Sequence, residues 1–118
     1  MNINNKVSVI ITTFGRDIRI VKEAVESADN QTFDNLEVLI IDDNGYGTEK
    51  QLDNQKSFSE SGYRRVRYLA NRKNEGVQFS RNRGILESEG EFVAFLDDDD
   101  VWFKDKIEKQ MKLMQGTE

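Results

Sequence analysis

Strand-like and helix-like patterns alternate along this 118-residue sequence. Short runs rich in β-branched and aromatic residues occur at 6–11, 36–41, 65–70 and 92–96, and a helical pattern follows each of them. The first two runs are almost continuously apolar, which is typical of strands buried on both faces. The alternation predicts a single α/β domain over residues 1–118, with a mainly parallel sheet between two layers of helices.

The predicted helices cover residues 18–28, 48–58, 77–89 and 104–114. In the second, Thr48 and Gln51 have the form of a capping box. The main apolar residues of that helix are Leu52 and Phe58, so we expect it to be exposed.

Two further helices have apolar residues at helical spacing. In the third, Gly84 would allow close packing and Ile85 would face the core. In the last, Ile107, Met111 and Met114 fall on one stripe. Both helices are therefore expected to pack against the sheet.

Charge and residue types exclude several classes of protein. The net charge is −5, without the clustered basic face of a nucleic-acid-binding protein, so no nucleic-acid partner is expected. Histidine and cysteine are both absent, which leaves carboxylates, lysine, tyrosine or a metal for any catalysis. The first five residues are polar and no run is long and apolar enough to span a membrane, so we predict a soluble, cytoplasmic domain.

Polar and acidic residues collect where three predicted strands end. Strand one is followed by Thr12, Thr13 and Phe14, strand two by Asp42 and Asp43, and strand four by four consecutive aspartates at 97–100. Parallel strands present their carboxyl ends at one edge of the sheet, where ligands of such folds bind. The sequence therefore predicts a ligand site at this edge.

The four aspartates need water or a cation to offset their mutual repulsion. In an extended chain, side chains alternate, so Asp97 and Asp99 would share one side and Asp98 and Asp100 the other. Carboxylates spaced in this way suit a hard cation such as Mg²⁺ or Mn²⁺. A solvated acidic loop is the alternative.

A phosphate-containing ligand would not be held by a glycine-rich loop here. The segment after strand one has a single glycine, and neither a dinucleotide-binding fingerprint nor a P-loop is present. That also disfavours a nucleotidyltransferase-like domain. The remaining way to bind phosphate is a metal ion between carboxylates and phosphate oxygens, with help from arginines. The candidate arginines are Arg16, Arg72, Arg81 and Arg83.

A nucleotide base could be held by the Phe14 ring and by Asp43 as an acceptor. The simpler alternatives are that Phe14 packs in the core and that Asp42 and Asp43 only form a turn with the following Asn-Gly pair. The arginines could likewise be ordinary surface residues.

Four segments, in order, resemble those of family-2 glycosyltransferases over about residues 6–114. These are the opening strand with its Thr-Thr-Phe-Gly-Arg end, the second strand with paired acids, the Asn-Glu-Gly and Ser-Arg-Asn-Arg-Gly segment, and the aspartate run, which resembles the Asp-x-Asp signature. The resemblance implies a Rossmann-like GT-A fold, here in truncated form. It also implies transfer of a sugar from a nucleotide sugar, a UDP-sugar foremost, to an acceptor hydroxyl.

The resemblance also implies roles for individual residues. Thr12, Thr13, Phe14, Arg16, Asp42, Asp43, Arg81, Asp97 and Asp98 would bind the nucleotide sugar, and Asp99 with Asp97 would bind Mn²⁺ or Mg²⁺. The acceptor would be a carbohydrate or lipid-linked, and the full-length protein could lie on the inner face of the membrane. The base pocket departs from the family pattern, with Thr12 where proline is usual and Gly15 where asparagine is usual.

Family members continue for at least another hundred or so residues, which bind the acceptor and supply the catalytic base. We therefore expect this chain to be a fragment that is inactive alone, with the base beyond Glu118. An uncovered sheet edge or last helix would favour a homodimer. The alternative function is a non-catalytic interaction module with a solvated acidic edge.

Overall fold

A computed structural model describes residues 5–59 and 62–115, and the predicted alternation of strands and helices is confirmed in them. The strands are β1 (Val7–Thr13), β2 (Leu36–Asp42), β3 (Val66–Ala70) and β4 (Phe92–Phe95). The helices are α1 (Ile18–Asp29), α2 (Glu49–Ser59), α3 (Val77–Glu87) and α4 (Lys106–Gln115). Part of the polar N-terminal segment, residues 1–4, lies outside the described residues.

The four strands form one parallel sheet in the order β3-β2-β1-β4. Strands β1 and β2 continue two residues and one residue beyond their apolar runs, because their ladder extends to the pair Thr13 and Asp42. These two central strands are buried almost throughout, whereas the edge strand β4 alternates between half-buried and exposed residues.

The order in which strands are added to the sheet changes direction once. From β1 to β3 each strand is added on the same side, with α1 and α2 as connections, and α3 then leads back across the sheet to β4. Crossovers between parallel strands are right-handed, so a reversal of direction places the connecting helix on the opposite face. The expected three layers follow, with α3 alone on one face.

The packing of the two faces agrees with this arrangement. On one face, β1 and β2 contribute Val9, Ile11 and Val38 to a core that also holds Val25 of α1 and Ile107 of α4. The other face has a smaller apolar cluster under α3, formed by Ile10, Leu39 and Ile41. The sheet is therefore covered on both sides, as the continuous apolar runs predicted.

Helix α3 departs from the sequence-based expectation. Gly84 is buried, and a β-carbon there would lie 2.6 Å from Cγ2 of Ile10, so the predicted close packing is confirmed. Ile85 was expected in the core but is 45% exposed. The helix approaches the sheet through its small residues Ser80 and Gly84, and this turns the neighbouring Ile85 away.

Helix α2 is also less exposed than predicted, because polar residues form its inner face. Gln51 and Asn54 are both buried together with Phe58. The Gln51 amide donates to the Tyr68 hydroxyl (3.2 Å), and the Asn54 amide donates to Asp42 (2.9 Å). Hydrogen bonds to the sheet thus replace apolar contacts, which a hydrophobic pattern does not reveal.

Apolar side chains remain exposed around the outer edge of the sheet and on α3. Val93 and Phe95 of β4 are 39% and 46% exposed, and Leu86 of α3 is 85% exposed. Among the described residues, no helix combines the length and the hydropathy needed to cross a membrane.

Gly90 permits the first contact between β1 and β4. A β-carbon at Gly90 would lie 2.7 Å from the Ser8 nitrogen and 2.8 Å from the Lys6 carbonyl oxygen, and backbone atoms of a central strand cannot move aside cheaply. We predict that Gly90→Ala lowers the free energy of unfolding by about 1–3 kcal/mol in urea denaturation. The control Gly62→Ala, where a β-carbon meets nothing within 4 Å, should change it little, and equal effects of the two substitutions would contradict the prediction.

Candidate functional site

A cavity of about 520 Å³ opens at the carboxyl edge of the sheet, between the ends of β1 and β4. Among the residues that line it are Thr12, Thr13, Phe14, Arg16, Asp43, Arg81, Asp97, Asp98 and Asp99. The strand order reverses between β1 and β4, and crevices at such reversals are the usual ligand sites of open α/β sheets. Phe14 is 58% exposed, so the alternative that it packs in the core is wrong.

Asp98 joins the ends of β1 and β4. Its carboxylate accepts hydrogen bonds from the Thr13 hydroxyl (2.8 Å) and from Nε of Arg16 (3.2 Å). The residue is only 9% exposed. A buried carboxylate is costly unless it is paired and hydrogen-bonded, and these two partners meet that need. The same contacts fix the position of Arg16 on the cavity wall.

Asp97, Asp99 and Asp100 form an exposed group, which we call the acidic cluster. Each offers a carboxylate oxygen, and the three oxygens lie within 4.8 Å of one another. Two arginines lie near the cluster, with Nη2 of Arg81 at 3.8 Å from Asp97 and Nη2 of Arg16 at 3.6 Å from Asp99. Three exposed carboxylates at this spacing suit a hard divalent cation, and their mutual repulsion is offset by the arginines, by water or by such a cation.

The aspartate run is not extended, because a turn is centred on Asp98 and Asp99. Asp97 and Asp99 still lie close together, as predicted, and Asp98 bonds to Thr13 and Arg16, but all three line the cavity. Asp100 instead joins the cluster, because the chain turns there and its backbone N–H donates to the Asp97 carbonyl (3.1 Å). The turn adds a third carboxylate to the predicted pair.

Asp43 holds the loop between β3 and α3. One carboxylate oxygen accepts from the Asn71 amide (2.7 Å) and the Glu75 backbone N–H (2.8 Å). The other accepts from the Asn74 amide (2.7 Å) and the Gly76 backbone N–H (2.9 Å). A carboxylate has about four acceptor positions, so all of them are used. A ligand that bonds to Asp43 must therefore displace a donor, and among the side-chain donors Asn74 is exposed whereas Asn71 is buried.

Asp42 differs from the other predicted site residues because it does not line the cavity. It is fully buried, and its oxygens accept from the Asn44 amide (2.7 Å), the Asn54 amide (2.9 Å) and the Tyr68 hydroxyl (2.6 Å). Burial, and then the bond to Asp42, raises the pKa of Tyr68 well above its usual value, so this hydroxyl remains a donor. Asn44 in turn accepts from the Gly15 N–H (3.0 Å), which connects Asp42 to the loop after β1.

The candidate arginines separate into different roles. Arg81 lies over the Phe95 ring, 5.5 Å from its centroid, and lines the cavity. Arg83 instead donates to the Ala70 carbonyl (2.7 Å) and to the Asn71 side chain (2.9 Å), so it stabilises the loop after β3. Arg16 and Arg81 are thus the cationic groups on the cavity wall.

Four cavity residues had no role in the sequence-based prediction. They follow β3 and are Asn74, Gly76, Val77 and Ser80. Their segment was noted only for its resemblance to a family motif. Its position after a parallel strand, at the same sheet edge as the acids, was the signal that could have identified them.

The hydrogen bonds that Asp43 accepts lead to a testable prediction about the stability of the domain. Asp43→Asn replaces one acceptor oxygen with an NH₂ group that would face hydrogen-bond donors. We expect the free energy of unfolding to fall by about 2 kcal/mol or more. Faster hydrogen exchange at the Glu75 and Gly76 amides should accompany the loss. The matched control is Asp97→Asn, at a side chain that is 64% exposed, and it should leave stability nearly unchanged. Equal stability of the two variants would refute a loop-holding role for Asp43.

The comparisons with known proteins agree with this geometry. The family model described as glycosyl transferase family 2 matches residues 8–118. A protein of Rickettsia felis described as an uncharacterized glycosyltransferase is 44% identical over 112 residues, which cover 95% of this chain and 18% of that protein. The GalNAc(5)-diNAcBac-PP-undecaprenol β-1,3-glucosyltransferase of Campylobacter jejuni is 35% identical over 96 residues, covering 80% of this chain and 30% of that enzyme.

A solved structure has the same fold. Residues 1–349 of TarS from S. aureus, in complex with UDP-GlcNAc, match with a TM-score of 0.78 and 26% identity, covering 93% of this chain and 31% of that one. The chain thus spans less than a third of each of these three proteins. It belongs to glycosyl transferase family 2, and it has the α/β architecture of GT-A glycosyltransferases.

Proposed function

We propose that this chain is the donor-binding part of a metal-assisted glycosyltransferase and that a UDP-sugar occupies the cavity between β1 and β4. The observation that carries the proposal is the position of the acidic cluster on the rim of that cavity, at the reversal of the sheet. The UDP-GlcNAc complex of TarS, which is similar over 93% of this chain, supports the choice of donor.

The cavity wall offers different chemistry to each part of such a donor. The exposed Phe14 ring provides a flat apolar surface for the base, with Thr12 and Asp43 beside it. Arg16 and Arg81 would approach the diphosphate, because guanidinium groups pair well with phosphate oxygens. Asp97 and Asp98 would lie beside the sugar. Asp42 would act indirectly, because its hydrogen bonds with Asn44 and Tyr68 hold the surrounding segments in place.

The acidic cluster is the proposed site of Mn²⁺ or Mg²⁺, held by Asp99 and Asp97 with Asp100 as a further ligand. A divalent cation there would neutralise the negative charge that builds up on the departing nucleoside diphosphate. Arg16 and Arg81 would help to balance the same charge, since each already lies within 4 Å of a cluster carboxylate. Asp98 is committed to Thr13 and Arg16 and would keep those groups in place.

In the proposed transfer, the acceptor hydroxyl oxygen bonds to the anomeric carbon of the sugar while the bond from that carbon to the diphosphate breaks. The nucleoside diphosphate leaves with the bonding electrons, and the hydroxyl proton goes to a general base. Asp43 has its acceptor positions occupied, Asp98 is paired with Thr13 and Arg16, and the remaining cavity acids belong to the cluster. We therefore place the base outside the described residues and expect this chain alone to bind the donor without transferring the sugar.

The acceptor is proposed to be a carbohydrate that is linked to a lipid, as the name of the Campylobacter jejuni relative indicates for that enzyme. A diphospholipid acceptor would place the full-length protein on the cytoplasmic face of a membrane, as a peripheral protein.

The metal-assisted donor site predicts a specific binding pattern. In isothermal titration calorimetry, Mn²⁺ should raise the affinity for UDP on the order of tenfold or more. Asp99→Asn should remove this effect, and so should Asp100→Asn, because both carboxylates belong to the cluster. GDP and dTDP in parallel titrations would establish which nucleotide is preferred.

Asp53→Asn is the matched control, since it removes the same charge at an exposed position on α2. It should leave the Mn²⁺ effect intact. An absence of nucleotide binding with either metal would overturn the proposal for this chain. If asparagine at all four positions 97–100 then stabilised the domain without any ligand effect, the interaction-module alternative would be supported.

A homodimer is proposed from the apolar groups that the described residues leave uncovered. Val93 and Phe95 of the edge strand β4 are exposed, and so are Ile85 and Leu86 of α3. Light scattering at increasing protein concentration should show a rise towards twice the chain mass. Phe95→Glu should abolish that rise by placing a charge in the apolar contact. A monodisperse monomer at all concentrations would contradict the proposal.

A further inference from the structure

A second groove, of about 580 Å³, lies between the segment that follows the aspartate run and the first turns of α4. Its apolar lining comes from Val101, Trp102 and Phe103. Val101 and Phe103 are 61% and 87% exposed, whereas Trp102 is half-buried and packs against the core of the domain. The groove therefore has one anchored aromatic ring and a second, freely accessible one.

This groove lies across the acidic cluster from the donor cavity. Asp97 and Asp99 line the donor cavity, and Asp100 lines the second groove. The oxygens of these three carboxylates lie within 4.8 Å of one another. A molecule in the groove would thus lie just across the cluster from a donor in the cavity.

The polar groups of the groove restrict its occupant. Nζ of Lys106 lies 5.3 Å from the centroid of the Trp102 ring, and Asp105 and Gln110 also line the groove. Aromatic faces pack against the apolar C–H face of a pyranose, and carboxylates and amides accept hydrogen bonds from its hydroxyls. Lys109 lines the groove as well and pairs with Asp105 (3.2 Å). The two acidic lining residues, Asp100 and Asp105, are thus balanced by Lys106 and Lys109, and the groove favours neither a polyanion nor a polycation. The combination favours a neutral carbohydrate.

We propose that this groove is the subsite for a glycosyl unit of the acceptor, with the sugar ring packed on the accessible Phe103 ring, next to the Trp102 ring that Lys106 covers. The proposal rests on the proposed function, since it is the transfer reaction that requires an acceptor next to the donor. It assigns to residues 100–110 of this chain a share in acceptor recognition, in addition to donor binding.

Trp102 is the sole tryptophan of the chain, so its fluorescence reports on this groove directly. The methyl β-glycosides of N-acetylglucosamine and of glucose serve as probes, titrated into the 118-residue chain. We expect at least one of them to cause a saturable change in Trp102 emission. Phe103→Ala should weaken that binding roughly three- to tenfold, by loss of the accessible ring.

Leu86→Ala is the matched control, because Leu86 is 85% exposed on α3, outside the groove. It should leave the titration unchanged. The proposal is overturned if neither glycoside gives a saturable change, or if Phe103→Ala and Leu86→Ala bind alike. It is also overturned if decyl phosphate alters Trp102 emission and the glycosides do not, since the groove would then hold a lipid chain.

Asp99→Asn separates this proposal from the donor site. In that variant the Mn²⁺-dependent binding of UDP should be lost while the glycoside titration persists. Loss of glycoside binding in a chain that still binds UDP overturns the groove alone. Absence of UDP binding in a chain that still binds glycosides overturns the proposed function instead.

Discussion

Right-handed connection between parallel strands is the constraint on which this fold depends. The steps from β1 through β2 to β3 place α1 and α2 on one face, and the return to β4 forces α3 onto the other. The reversal leaves a gap at the carboxyl ends of β1 and β4 that no connecting loop crosses. The candidate site occupies this gap because the topology creates it, and the residues at those two strand ends become its walls.

Burial divides the six aspartates of the sheet edge into two groups. Asp42, Asp43 and Asp98 are buried, and each accepts hydrogen bonds from two or more donors of the chain. They hold the loops that follow β1, β2 and β3, and their cost of desolvation is offset by these donors. Asp97, Asp99 and Asp100 are exposed and lie close together, so their repulsion is relieved only by the nearby arginines, water or a cation.

This division has a consequence for function. A loop held by four hydrogen bonds to Asp43 is a rigid wall, and rigid walls bind ligands with a smaller loss of conformational entropy. The exposed cluster, in contrast, has acceptor positions left for a ligand. Buried structural carboxylates and the exposed carboxylates proposed to bind a ligand thus stand next to each other in sequence, as Asp98 does between Asp97 and Asp99.

The pattern of strands and helices, the parallel sheet and the convergence of the acids on one edge were all predictable from the sequence, since each follows from periodicity and from the chirality of the chain. The errors arose where contacts distant in sequence decide the outcome. Ile85 is exposed because small residues of α3 face Ile10, and α2 is inward-facing because Gln51 and Asn54 find polar partners in the sheet. No local pattern contains such information.

The sequence by itself therefore determined the class of fold, the family and the edge at which the candidate site lies, because these depend on periodicity, handedness and the order of motifs. Only the tertiary structure decided what each aspartate does. It filled the acceptor positions of Asp43 with donors of the chain itself, paired Asp98 with Thr13 and Arg16, and turned Asp100 towards Asp97 and Asp99. The reason is physical: a carboxylate's role depends on its burial and on the donors within about 3 Å, and folding brings those donors from distant parts of the chain.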